Sequence, residues 1–144
     1  MSWGGTDERD AIRTIRAALE RGINLIDTAP VYGFGRAEEI VGRALALSPQ
    51  RDQVIIATKV GLEWNEREQI FRNSSPQRIR MEIDDSLRRL RTEVIGLYQV
   101  HWPDPKISIE ETAQTLSELQ GAGKIRARPD RSNNSGNYYL GLLL

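Results

Sequence analysis

Four residues of this 144-residue chain place reactive side chains where an α/β protein would build a site. Asp27, Lys59 and His101 each stand at the C-terminal end of an apolar run, and Tyr32 follows the first of these runs. Lys59 interrupts Val54–Val60, although the chain has only three lysines to place. The set is chemically coherent. A tyrosine hydroxyl, with a pKa of about 10, is a poor general acid at neutral pH until a nearby cation favours its ionised form. The Lys59 ammonium supplies such a cation, and the Asp27 carboxylate holds that ammonium charged and oriented. The His101 imidazole hydrogen-bonds a substrate carbonyl and aligns it for attack. Together the four polarise a carbonyl and protonate the developing alkoxide. None of them carries reducing power, so the hydride must come from a cofactor.

Each residue also has a plainer reading. Asp27-Thr28 suits a loop-start turn, and Lys59 suits a strand end whose charged head snorkels to water. His101, before Trp102-Pro103, suits a half-buried histidine, and Tyr32 a packing aromatic. Taken singly, the plainer reading is favoured. The convergence of all four on one face is what argues for a site, and it depends on the elements around them.

Thr6–Glu20 carries Ala11, Ile12, Ile15, Ala18 and Leu19 at helical spacing, with Gly22 as a stop. Ile23–Ile26 predicts a short strand ending at Asp27. Pro30, Gly33 and Gly35 mark a loop into a helix over Arg36–Leu47, which Ser48-Pro49 breaks. Val54–Thr58 predicts a strand buried on both faces, and residues 61–74 read as a long polar loop. Ser75-Pro76 is an N-cap and first-turn pair for a helix with Ile79, Ile83, Leu87 and Leu90 on its buried stripe. Val94–Val100 predicts the next strand. Ser108 and Glu111 have capping-box spacing for a helix that ends at Gly121-Ala122-Gly123, and Lys124–Ala127 opens one more strand. This alternation predicts an α/β fold with a parallel sheet, whose strand C-termini share the face where sites are built. Residues 128–144 break the rhythm: Asn133–Asn137 is turn-rich, and Leu140–Leu144 is an apolar end with no polar face.

The segment Gly22-Ile23-Asn24-Leu25-Ile26-Asp27-Thr28-Ala29-Pro30-Val31-Tyr32-Gly33 resembles the first signature of the aldo-keto reductases. Ala57-Thr58-Lys59-Val60-Gly61 is similar to the strand carrying that family's lysine. Leu97-Tyr98-Gln99-Val100-His101-Trp102-Pro103-Asp104-Pro105 is similar to the strand carrying its histidine, and Gly123-Lys124-Ile125-Arg126-Ala127 to the phrase opening its next strand. The wording resembles most the bacterial general-stress branch, from about Gly4 to Ala127. The resemblance implies a TIM barrel, NADPH as cofactor and an aldehyde or ketone as substrate. By position it makes Tyr32 the general acid, Lys59 its activator, Asp27 the partner of the lysine and a cofactor contact, His101 the carbonyl orienter and Trp102 a wall of the substrate pocket.

A full barrel typically takes about 250 residues, so the resemblance implies a partial, half TIM barrel over 1–127 followed by a divergent tail over 128–144. The family's Ile-Gly-Val-Ser-Asn is replaced by Arg128-Pro129-Asp130-Arg131-Ser132-Asn133, and codons for Asp130-Arg131-Ser132-Asn133 read one base later can give Ile-Gly-Val. A frameshift near Ala127 is one hypothesis for the tail, which the coding DNA decides. The family's main NADPH-binding segments fall in the half without a counterpart here, so weak or lost activity is expected. A half-barrel bares two strand edges and an apolar interior, which implies a homo-oligomer, unless Leu140–Leu144 folds back over the opening.

Composition removes other classes. Twenty basic and twenty acidic residues cancel, which argues against a nucleic-acid partner. Arg78, Arg80, Arg88, Arg89 and Arg91 share one helix with Glu82, Asp84 and Asp85, and read as a solvated face. Cysteine is absent and histidine single, which argues against disulfides, thiolate catalysis and a metal site. No apolar run reaches about 18 residues and the start lacks a signal-peptide pattern, so no membrane association and a cytoplasmic location are expected. Two functional classes remain: a carbonyl reductase, and a non-enzymatic, self-associating fragment that acts by binding a partner. Binding of NADPH separates them.

Overall fold

The computed structural model of the chain describes residues 7–127. The predicted alternation is present. Helix α1 (Glu8–Glu20) starts at Asp7, whose carboxylate accepts from the Arg9 amide and caps the first turn. Strand β1 (Leu25–Asp27) follows, then helix α2 (Arg36–Ala46) and a single 3₁₀ turn over Arg51–Gln53. Strand β2 (Ile55–Val60) leads to a hairpin of β3 (Leu62–Trp64) and β4 (Ile70–Arg72). Helix α3 (Pro76–Leu90) is capped by Ser75, with the proline in its first turn. Strand β5 (Ile95–Val100), helix α4 (Ile109–Gly121) and strand β6 (Ile125–Ala127) complete the described chain, and the Ser108–Glu111 capping box is formed in both directions.

Strands β1, β2, β5 and β6 form one parallel sheet in that order. Spatial order follows chain order, as successive crossovers of one hand require. The core lies between this sheet and the helices: Ile56, Val60, Ile95, Tyr98 and Ile125 of the strands meet Leu19, Val41, Leu45, Ile79, Ile83, Leu90, Leu116 and Leu119 of the helices. Helices α2 and α3 approach closely at Gly42, where an added Cβ would lie 2.4 Å from the Arg89 carbonyl oxygen. Only a residue without a side chain allows that packing.

Three expectations need correction. Residues 61–74 are not a plain loop, because they hold the antiparallel β3–β4 hairpin with Leu62, Glu63 and Trp64 opposite Arg72, Phe71 and Ile70. Gly61, at φ +102°, turns the chain into it, and a Cβ there would meet the Trp102 carbonyl oxygen at 3.1 Å. The hairpin therefore starts against the segment that carries His101. Second, β2 is buried on both faces through Ile56, Ala57 and Thr58 but not at its start: Ile55 is 45% exposed and its register partner Leu25 is 46% exposed. Helices cover one side of the strand, and no described element covers Ile55 on the other.

The arginines of α3 supply the third correction. Arg80 and Arg88 pair with Glu118 and Asp85 in water, but Arg78 and Arg89 are turned inward, with side chains only 13% and 12% exposed. They reach two buried carboxylates, Glu82 and Glu38. The tail 128–144, with Leu140–Leu144, lies outside the described residues.

Candidate active site

The three strand-end residues are set by the sheet itself. Beyond the last pair of β1, the Thr28 amide donates to the Ala57 carbonyl at 2.9 Å. Beyond β5, the His101 amide donates to the Val60 carbonyl at 2.7 Å. These bonds continue the parallel ladders past the strand ends, and so hold Asp27, Lys59 and His101 on three adjacent strands at one end of the sheet. Tyr32 comes from the β1–α2 loop. That loop is closed by the Gly35 amide donating to the Pro30 carbonyl at 2.7 Å, with Gly33, Phe34 and Gly35 all at positive φ. Glycine takes that conformation freely; Phe34 takes it under strain.

Lys59 is the centre of the constellation. Its ammonium donates to both Asp27 carboxylate oxygens, at 2.9 and 2.8 Å, and to the Thr28 carbonyl at 2.9 Å. These three acceptors use all three of its protons. The side chain is 12% exposed, whereas that of Asp27 is 56% exposed. The ammonium also lies 5.2 Å from the centroid of the Tyr32 ring. It meets Tyr32 over the ring and makes no direct hydrogen bond to the Tyr32 hydroxyl.

Tyr32 and His101 meet edge to face, with centroids 5.7 Å apart and an interplanar angle of 89°. Trp102 stands next, 5.9 Å from His101, and the Arg72 guanidinium of the hairpin lies 5.6 Å over its ring. Burial lowers the His101 pKa from its ordinary 6.5, and the Lys59 charge lowers it further against the opposing pull of Asp27. The imidazole is thus neutral at neutral pH, and can donate to a carbonyl oxygen without adding a charge. Tyr32 is 38% and Trp102 44% exposed, so the site is an open face in the described residues.

All five residues singled out in the sequence thus lie together, at the end of the sheet expected for an α/β protein. A cavity of about 440 Å³ exists elsewhere, lined by Arg51, Val54, Arg91, Gly96 and Arg126, and contains none of them. It lies toward the N-terminal ends of β2, β5 and β6. Sequence reasoning missed the Thr28 carbonyl as a lysine acceptor, and missed the Phe34–Trp64 and Arg72–Trp102 contacts that bring the hairpin to the site. A backbone oxygen has no signature in sequence. Among the described residues, no group of three or more histidine, aspartate and glutamate side chains is placed to hold a metal ion. No described helix is long and apolar enough to cross a membrane.

A family model described as the aldo/keto reductase family matches residues 1–128. The chain belongs to the aldo-keto reductase family. Aldo-keto reductase YhdN of Bacillus subtilis is 60% identical to it over 125 residues, which cover 87% of this chain and 38% of that protein. The NADH-specific methylglyoxal reductase of Escherichia coli is 43% identical, over 88% of this chain and 42% of that protein. Among solved aldo-keto reductases, the glycerol dehydrogenase of Gluconobacter oxydans superposes with a TM-score of 0.80 at 58% identity, covering 88% of this chain and 39% of that one. A holo-form aldo-keto reductase from Bacillus halodurans also gives 0.80, at 41% identity, over 86% and 41%. The chain thus spans about two-fifths of the length of these relatives, and its parallel sheet with packed helices is part of the aldo-keto reductase barrel.

Proposed function

We propose that this chain forms the carbonyl-activating part of a nicotinamide-dependent aldehyde or ketone reductase. The observation that carries the reading is Lys59, held by two bonds to Asp27 and set 5.2 Å from the Tyr32 ring beside His101. His101 orients the carbonyl by donating to its oxygen. Tyr32 delivers a proton to that oxygen as negative charge develops there, and the Lys59 ammonium stabilises the tyrosinate left behind. Asp27 holds the lysine in place through its two bonds. Trp102 lines the substrate side, next to His101.

The cofactor, NADPH by family resemblance, supplies the hydride that no side chain can. The open face above the tetrad, where the Asp27 carboxylate is half exposed, leaves room for a nicotinamide, and Asp27 is the residue of this chain that would contact it. The reaction balances as one hydride to the carbonyl carbon and one proton to its oxygen. Positioning a hydride donor can contribute about 7–11 kcal/mol of the barrier, so the rate with this chain alone is expected to be very low. Loss of NADPH absorbance with simple aldehydes tests the reading, paired with a fluorescence titration of NADPH binding. No binding and no turnover by purified protein would overturn it.

A second reading has its own support. Leu25 and Ile55, neighbours in register on β1 and β2, are 46% and 45% exposed on the side of the sheet away from the core. Apolar surface of this kind favours self-association. We read the chain as a homo-oligomer, whether or not it turns over substrate.

A further inference from the structure

Behind the tetrad, between α2, α3 and the sheet, lies a buried ionic network that the proposed chemistry does not use. The Glu38 carboxylate is fully buried. One of its oxygens accepts from the Thr58 hydroxyl at 2.6 Å, and the other accepts from Arg89 Nε at 2.6 Å. The Arg89 guanidinium also donates to Glu82, which Arg78 pairs from its other side. Burial raises the Glu82 carboxyl against the two guanidiniums. Burial alone would lower Arg89, but Glu38 and Glu82 more than reverse that. Tyr98, fully buried and paired with Thr58 across the β2–β5 ladder, feels the same charges.

Such a network adds little net stability, because desolvating four charges offsets most of their attraction. What it does supply is fixed geometry, and its members are the near neighbours of the tetrad. The Ala37 amide donates to the Tyr32 carbonyl at 3.2 Å, and Glu38 is the next residue. Thr58, which Glu38 holds, is the residue before Lys59. Arg89, which holds Glu38, lies against Gly35 at the end of the Tyr32 loop, where an added Cβ would meet its Cδ at 3.1 Å. One short path thus runs from Tyr32 through Ala37, Glu38 and Thr58 to Lys59, and all its polar links are buried or made by backbone.

We infer that Glu38 is a positioning residue, which sets the Tyr32 loop against the strand bearing Lys59 through its paired bonds to Thr58 and Arg89. The inference takes the meaning of the tetrad from the reductase reading, but its geometry stands on its own. Glu38 touches no reacting atom. It acts through the distance between two groups that do, and through Thr58 it fixes where the Lys59 charge lies relative to His101.

His101 is the chain's single histidine, so its imidazole resonances give an unambiguous NMR titration of the whole protein. Lys59 lowers its pKa and Asp27 raises it, so the midpoint reports where those two groups stand. Thr58→Val removes the hydroxyl that Glu38 accepts from; Thr58→Ser keeps it; Glu38→Gln removes the charge that binds Arg89. The expected result is a His101 midpoint that rises toward 6.5 in Thr58→Val and Glu38→Gln by about 0.3 unit, a twofold change in proton affinity, and stays unchanged in Thr58→Ser. A midpoint unchanged in Thr58→Val overturns the inference, even if the variant is less stable, because a purely structural role moves stability alone. Should both Thr58→Val and Glu38→Gln fail to fold while Thr58→Ser folds, the role is structural and the inference is likewise overturned. The titration needs neither cofactor nor turnover. A chain that shows the shift but neither binds NADPH nor reduces a carbonyl therefore refutes the reductase reading and leaves this one standing.

Discussion

Lys59 and Asp27 are joined by two bonds, at 2.9 and 2.8 Å, across the β1–β2 boundary. The lysine is largely buried and the aspartate is not. Replacing Asp27 with asparagine leaves that ammonium facing a neutral partner. Because the Asp27 side chain is 56% exposed and partly screened, the expected loss of stability is only about 1 kcal/mol, read from the urea midpoint. Any carbonyl reduction should fall further than that loss explains, since the two bonds that fix the Lys59 ammonium beside the Tyr32 ring are weakened.

Tyr32→Phe removes the one tyrosine hydroxyl that the described residues bring to the site and keeps the ring that meets His101. General-acid catalysis contributes about 10²–10⁴-fold, so any rate of NADPH oxidation should drop to background. Activity that persists in this variant points to a contaminating enzyme; if it persists after the contaminant is removed, the assignment of Tyr32 as the acid fails.

Stability should fall on acidification below pH 6.5. The folded pKa of His101 is lowered, so between that value and 6.5 the unfolded chain binds more protons than the folded one. The stabilisation is complete above the unfolded value and is lost as the pH drops through the folded one. Urea midpoints at about pH 7.5 and about pH 5.5 measure the difference. His101→Gln should flatten that dependence, and an undiminished slope in that variant would assign it to other groups.

Gly42→Ala should destabilise the fold by about 1–3 kcal/mol, because the new methyl would press on backbone atoms of Arg89 and Leu90 that cannot rotate away. Gly121 is a fair comparison, since nothing lies within 4 Å of the Cβ an alanine would add there. Thermal unfolding should separate Gly42→Ala from Gly121→Ala, the first losing several degrees and the second little.

Light scattering on the purified chain should give a mass of at least twice 16.3 kDa at micromolar concentration. Ile55→Glu, which puts a charge on the exposed side of β2, should shift the chain toward monomer. A wild-type monomer would rule out self-association through this face.

Much of the fold is legible in the sequence because its signals are local. The helical stripe of Ile79, Ile83, Leu87 and Leu90, the Ser75-Pro76 start and the Ser108–Glu111 box are each written within a turn or two of chain. The tetrad is legible for a related reason. A charged or polar residue closing an apolar run is costly to place, and a parallel sheet has only one end at which such residues can collect. The β3–β4 hairpin is hidden, because three-residue strands around Glu66-Arg67-Glu68 show no period, and only backbone pairing defines them. The ionic network is hidden more deeply. Arg78, Glu82 and Arg89 have the spacing of an ordinary wet helix face, and sequence spacing cannot tell which guanidinium turns toward water. That was decided by Glu38, which precedes Arg89 by 51 residues and reaches it only when α2 and α3 pack on the same sheet. Burial and pairing of charge depend on contacts between distant segments, and those exist only once the chain has folded.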